Sequence, residues 1–340
     1  MPSTVIVDAM GGDNSPGIPV RSSLDLCREF SDLKIILVGY KPEIFDHLSG
    51  TIPDNLEIVN AEDEITMDDS PVSAYKGRTG SSIHKGLDML TKKQGDAFFS
   101  LGNTGAVVTT SYFKSGIMDC ILRPALATIY PSVDSRKMIF LDLGATIDPK
   151  PTNLADFALM GESYRYCITG LKDSRIGILN VGEEKTKGTR LVKEASRIIS
   201  DMPLNYVGFV EGNQLFVEQK ADVIVTDAFT GNVALKTIEG LNESFIYMIK
   251  SMIAPPTWEK TSSFFFNKLF PDALSKFQYN LYGGALLLGV NHLVGIGHGK
   301  SDETAFQNGV LTLKNHIENN FLKKFKSRIK YKKKTVEKVN

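Results

Sequence analysis

Two strand-to-helix turns carry residues suited to holding an anion. The stretch "FFSLGNTGAVV" runs from an apolar strand pattern into Gly102, Asn103, Thr104 and Gly105, and "VIVTDAFTGNVALK" does the same through Thr230, Gly231 and Asn232. Small residues let the backbone approach an oxyanion, Asn and Thr supply neutral donors, and a helix start adds free N–H groups and the positive end of its dipole. Phosphate or a developing tetrahedral oxyanion would be held in this way. Small polar residues also cap helices for purely structural reasons, so each turn alone leaves both readings open. A third turn, "LNVGEEKTKG", brings Lys185 and Lys187 past Gly182, with Lys193 close behind. Lys187, directly before Gly188, is the expected neutralising cation; the alternative is the solvated face of the next helix.

Near the other end, "GIGHGKSD" places His298 between two glycines, as a base, a donor or a structurally satisfied histidine. The string imitates a phosphate-wrapping P-loop, but three residues separate Gly295 from Gly299, one too few for that loop. At the start, "VIVDAMGGDNSPG" turns from Asp8 through Gly11 and Gly12 into Asp13. The spacing is not that of a dinucleotide cradle, and two carboxylates would repel a pyrophosphate. The turn is either structural or a loop that orients a ligand.

These turns need a scaffold, and the pattern supplies one. The β-rich runs TVIVDA, KIILVG, LEIVNA, DAFFS, PALATIY, KMIFLDLG, RIGILNVG, YVGFV and ADVIVTD alternate with helical stretches. That alternation predicts a layered α/β fold with a largely parallel sheet. The 340 residues, 42% hydrophobic, can bury a substantial core. One catalytic domain is expected over residues 1–320, with an inserted apolar helical hairpin around 240–277 and a basic tail at 321–340. The segment Glu62 to Gly80 is long for a connection and is either a functional flap or a surface excursion. Cys27, Cys120 and Cys167 are widely spaced, which suggests neither a zinc site nor a disulfide framework and fits a reducing cytoplasm. No export signal is seen at the N-terminus. The uncharged but glycine- and asparagine-rich run 277–299 reads as a buried loop and strand rather than a membrane span. Zero net charge conceals a tail with ten Lys/Arg against two Glu over residues 314–340, either a solvated helix end or an anchor for an anionic surface.

Taken in order, "DAMGGD", "GNTGA", "RPALATIYP", "LNVGEEKTKG", "DAFTGNVALKTIEG" and "YGGALLLGV" resemble the phosphate acyltransferase family of bacterial phospholipid synthesis. The resemblance spans about residues 3–310, with Leu101, Thr146 and Ala228 departing from the family's usual Ala, Asn and Gly. It implies a three-layer α/β/α fold like that of phosphotransacetylase and isopropylmalate dehydrogenase, a homodimer, and no cofactor or metal. Acyl carrier protein and inorganic phosphate would be the substrates, and nucleic acid is not an expected partner. Asn103, Thr104, Lys187, Asp13 and His298 are then the expected catalytic residues, Gly102, Gly105, Thr230, Gly231 and Asn232 the phosphate and oxyanion pocket, and Asp8, Gly11 and Gly12 the passage for the thioester arm. Thioester phosphorolysis asks for little more, because a thiolate leaves without a strong acid. A dehydrogenase of the same fold and a non-catalytic carrier-binding or lipid-binding scaffold are the alternatives.

The stretch 240–270 places Leu241, Phe245, Met248, Ile249 and Met252 on one helical stripe, breaks at Pro255 and Pro256 and resumes at Trp258. It suits either an interfacial hairpin on an anionic membrane, touching it through Ile253, Trp258, Phe264, Phe265 and Phe266, or a dimer face. A cytoplasmic enzyme in peripheral contact with the membrane, and with a membrane-bound glycerol-phosphate acyltransferase, is the resulting picture.

Overall fold

The computed structural model describes residues 2–131, 136–253 and 283–339. Trp258, Phe264, Phe265 and Phe266 lie outside them, as does most of the expected hairpin; Ile253 ends a helix. The nine predicted strand runs all form strands: β1 (Ser3–Asp8), β2 (Leu33–Gly39), β3 (Leu56–Asn60), β4 (Ala97–Ser100), β5 (Ala125–Pro131), β6 (Lys137–Leu141), β7 (Arg175–Leu179), β8 (Asn205–Val210) and β9 (Val223–Val225). The uncharged run near the end supplies two more, β10 (Ala285–Leu288) and β11 (Leu293–Ile296), as an antiparallel pair. All belong to one sheet, ordered β3-β2-β1-β4-β11-β10-β5-β6-β9-β7-β8.

Side-chain alternation builds three layers. Val5, Val7, Ile35 and Leu37 point to one face and Ile6, Ile36 and Val38 to the other, each into its own apolar cluster. The first face is covered by α1 (Gly17–Glu29), α6 (Pro151–Thr169), α7 (Arg190–Ser200), α9 (Glu303–Glu318) and α10 (Phe321–Val339). The second is covered by α3 (Pro71–Gly77), α4 (Ser82–Thr91), α5 (Thr104–Ser115) and the start of α8 (Ala228–Ile253). A short α2 (Lys41–Asp46) lies between β2 and β3.

Register explains where a site can form. The sheet is parallel from β3 to β11 and again from β6 to β8, but three antiparallel pairings between them reverse the second block. Ser100 pairs with Ile296, and Ile296 with Ala285. One residue along, Leu286 pairs with Ala127, Ala127 with Leu141, and Leu141 with Val225. The carboxyl ends of β4 and β11 therefore fall on a row next to the carboxyl ends of β6 and β9, and loops from both blocks converge there.

The basic C-terminal stretch is not a loose end. Helix α10 buries Phe321, Phe325 and Ile329 against the core. Arg328 makes a two-point pair with Glu162 of α6, and Lys333 lies 3.0 Å from Asp156. Apolar residues at i, i+4 and i+8 turn one face of this charge-rich helix inward.

Candidate active site

The converging loops line a cleft of about 380 Å³. From the first block come Gly102, Thr104 and Gly105 after β4 and Gly297 to Lys300 after β11; from the second come Leu143 and Gly144 after β6 and Asn232, Leu235, Lys236 and Glu239 of α8. Its ionisable groups are Asp13, Lys236, Glu239, His298 and Lys300. Among the described residues no three His, Cys, Asp or Glu side chains gather as metal ligands would.

Helix α5 starts at the cleft. Asn103 is its N-cap, with the side-chain oxygen accepting from the Ala106 N–H at 3.0 Å. Its amide hydrogens point to the carbonyls of Thr66, Met67 and Asp69 at 2.9–3.2 Å. Asn103 is thus committed to structure: it fastens the Glu62–Gly80 segment as a flap over α5, whose first residues, Thr104 and Gly105, line the cleft. The flap contributes Met67 to the cleft wall.

The two acids of the opening turn have different tasks. Asp8 is buried and accepts from Ser100 Oγ at 2.6 Å and the Met10 N–H at 3.1 Å, while Ser100 Oγ also accepts from the Gly102 N–H at 2.9 Å. Burial pushes its carboxyl above the usual range despite those bonds. A Cβ on Gly11 would lie 2.6 Å from both Asp8 Oδ2 and the Gly102 nitrogen. The double glycine is thin so that two neighbouring loops can stack, with Gly12 at φ +100°. Asp8 and Gly11, expected beside the thioester arm, are not part of the cleft lining. Asp13 does face the cleft, its N–H bonded to the Gly299 carbonyl at 2.8 Å.

In the second block Asp142 repeats the part played by Asp8. It is fully buried and accepts from the N–H groups of Leu126, Gly144, Ala145 and Thr146 at 2.7–3.1 Å, and burial pushes its carboxyl up to about 6. Gly231 packs against this loop, where a Cβ would lie 2.1 Å from the Asp142 carbonyl oxygen. Asn232 holds it by donating to the Leu143 carbonyl at 2.9 Å. Thr230 is outside the cleft lining, because Asp227 accepts from its N–H at 2.9 Å and places a carboxylate where an anion was expected. The three departures are absorbed: Leu101 is buried against Gly12, Thr146 Oγ1 donates to the Pro124 carbonyl at 2.9 Å, and Ala228 is buried.

The cations differ most from expectation. Lys187 is exposed in the loop after β7 and does not line the cleft. Lys236 does: its ammonium lies 2.5 Å from His298 Nε2 and 2.8 Å from Glu239 Oε2. His298 Nδ1 accepts from the Lys300 N–H at 3.2 Å. Burial first, and Lys236 next, hold the His298 imidazole below its ordinary pKa, so it is neutral near pH 7.

A family profile described as "Fatty acid synthesis protein" matches residues 3–324. The phosphate acyltransferase of Halothermothrix orenii is 35% identical over 96% of this chain and 98% of its own length. That of Dictyoglomus turgidum is 38% identical over 90% of this chain and 91% of its own. The chain belongs to the phosphate acyltransferase family. It is an acyltransferase, and its fold is shared with a phosphotransacetylase from Streptococcus pyogenes (18% identity, TM-score 0.59, 93% of this chain and 94% of that one). A branched-chain phosphotransacylase from Enterococcus faecalis is similar in the same way (14% identity, TM-score 0.54, 92% and 98%).

Lys236 had a signal in the sequence. Asn232, Lys236 and Glu239 are spaced i, i+4, i+7 on α8, so a helix that presents Asn232 to the cleft also presents the other two.

Proposed function

We propose that the cleft catalyses attack of inorganic phosphate on an acyl thioester carried by acyl carrier protein, forming acyl phosphate for phospholipid synthesis. The observation that carries this reading is the cluster of Lys236, His298 and Lys300 facing the start of α5 across the cleft. In the free protein the Lys236 ammonium donates to His298 Nε2. A phosphate oxygen that displaces this contact accepts from the Lys236 ammonium and, with Nδ1 accepting from the Lys300 N–H and the imidazole proton on Nε2, from His298 as well.

From there a phosphate oxygen adds to the thioester carbonyl carbon, and the carbonyl oxygen gains the negative charge. The α5 N–H groups of Thr104 and Gly105 with the Thr104 hydroxyl stabilise that charge. Collapse breaks the C–S bond, and the proton originally on phosphate ends on the departing thiolate. A neutral His298 suits the role of donor, since an imidazolium would bind ground-state phosphate more tightly without favouring the transition state. Leu126, Leu143, Leu235 and Ile296 supply an apolar wall for the first carbons of the acyl chain.

The test is thiol release from acyl-carrier-protein with and without phosphate, beside the matching coenzyme A thioester. Release only with phosphate and only from the carrier supports the reading. Phosphate-independent release makes the protein a thioesterase, and binding without release makes it a scaffold. The exposed Leu241, Phe245, Tyr247 and Met248 of α8 support the further reading that this helix meets a second copy or an anionic membrane. A blue shift of Trp258 emission with anionic vesicles selects the membrane.

A further inference from the structure

A second concave site lies away from the catalytic cleft, between the end of α6 and the outer face of α10, with a volume of about 780 Å³. Lys323, Lys324, Ser327, Arg328 and Tyr331, spaced along one face of α10, form one wall with Asn320 just before the helix. Tyr166 and the turn at Lys172 and Asp173 form the other. The catalytic cleft takes in the loop that leads to the start of α6, whereas this site takes in the helix's last turn. The stretch of α6 from Pro151 to Tyr166 separates the two, about 22 Å at the α-helical rise. An occupant here is not a reactant.

The charge of the site is lopsided. Arg328 and Lys332 share the buried carboxylate of Glu162, at 3.2 Å for Arg328 Nε and 3.6 Å for Lys332. Arg328 also lies 4.3 Å from the centre of the Tyr166 ring and 5.9 Å from that of Tyr331, so the floor is a fixed stack of cation and aromatics. Lys172, Lys323 and Lys324 are exposed at the rim and take part in none of the ion pairs of the described residues, and Asp173 is the only acid among the described residues of the lining. Three ammonium groups outside those ion pairs, gathered around an open depression floored by Arg328 and its tyrosines, match a compact dianion.

We propose that this cleft binds a phosphomonoester or inorganic phosphate as a second, non-catalytic anion site. The dianion takes its charge partners from Lys172, Lys323 and Lys324, and Ser327 and the tyrosine hydroxyls supply neutral donors. Because α10 docks on α6 through Glu162 and Asp156, an occupant bridging Lys172 to the α10 lysines clamps the two helices together. The proposal does not depend on the acyl donor assigned to the catalytic cleft.

The experiment is calorimetric titration of the full chain with inorganic phosphate. The variants are Lys236→Met and the triple Lys172→Ala/Lys323→Ala/Lys324→Ala, whose three lysines lie outside the catalytic cleft. Two classes of site are expected in the parent. Lys236→Met keeps the remote one, whereas the triple variant weakens it by roughly tenfold or more, with turnover at saturating phosphate unchanged. Co-sedimentation with vesicles of phosphatidylcholine, with and without phosphatidate, separates the sources. Loss of phosphatidate-dependent binding in the triple variant identifies a lipid headgroup, and unchanged vesicle binding beside a lost phosphate site identifies a soluble anion. A triple variant whose phosphate isotherm superimposes on the parent's overturns the proposal.

Discussion

Replacing Lys236 with Met is the sharpest test of the catalytic cleft. A unit charge at about 4 Å from a phosphate oxygen is worth ~4 kcal/mol at an effective dielectric of 20. The Lys236 side chain is 46% exposed, so solvent screening reduces this to roughly 2 kcal/mol, or ~30-fold in kcat/KM for phosphate. The loss should fall on phosphate and leave the KM for the acyl donor within about twofold, since the lysine faces the anion rather than the thioester arm. Lys236 also neutralises Glu239, whose side chain is 13% exposed. The variant Lys236→Met/Glu239→Gln therefore controls for a stranded carboxylate, and it should recover stability but not phosphate use. Thiol release is followed against both substrates in turn, with Lys187→Met alongside. The reasoning is refuted if Lys236→Met raises the donor KM and leaves phosphate use intact, or if Lys187→Met shows the larger phosphate defect.

Other outcomes follow from the same contacts. Asn103→Ala removes a cap and three bonds to the flap; it should cost about 1–3 kcal/mol and open residues 62–70 to limited proteolysis before global unfolding. Arg328→Met leaves Glu162 buried without its main partner and should cost about 3–5 kcal/mol, most of it recovered in Arg328→Met/Glu162→Gln, as read by urea denaturation. His316 is buried, with Nε2 unpartnered and its ring 4.5 Å from that of Phe321, and burial lowers its pKa from 6.5 to about 4. The unfolded chain takes up that proton near pH 6.5 and the folded chain only near 4, so stability falls through this window as pH drops, by roughly 3 kcal/mol. Asp142 acts in the opposite sense, since its folded carboxyl protonates near 6 and its unfolded one near 3.8. His316→Phe should therefore convert a partly offset profile into one that gains stability from pH 6 to 4, and an acid profile identical to the parent's would refute the assignment.

How much of this was legible in the sequence depends on the range over which each feature is decided. Strand alternation is local, and the runs read as strands became β1 to β9. The reversal of the second block is not local: it arises from β5, β10 and β11, whose pairing partners are more than a hundred residues apart for β5 with β10. The same divide runs through the site. "GNTGA" and "FTGN" are visible as turns, but whether an Asn or Thr faces a ligand depends on what the rest of the chain puts beside it. Three carbonyls from the flap absorb the amide of Asn103, and Asp227 absorbs the N–H of Thr230. Lys187 and Lys236 make the point for charge. Lys187 sits in the more glycine-rich turn, yet β7 delivers that turn two strands away from β6 in the sheet, while α8 carries Lys236 from β9 back over the meeting row. A lysine in a helix pattern looks like a solvated face until the strand order shows what that face is turned toward. Helical spacing from Asn232 narrows the choice to Lys236 and Glu239, and only the sheet order makes Asn232 the right place to begin counting.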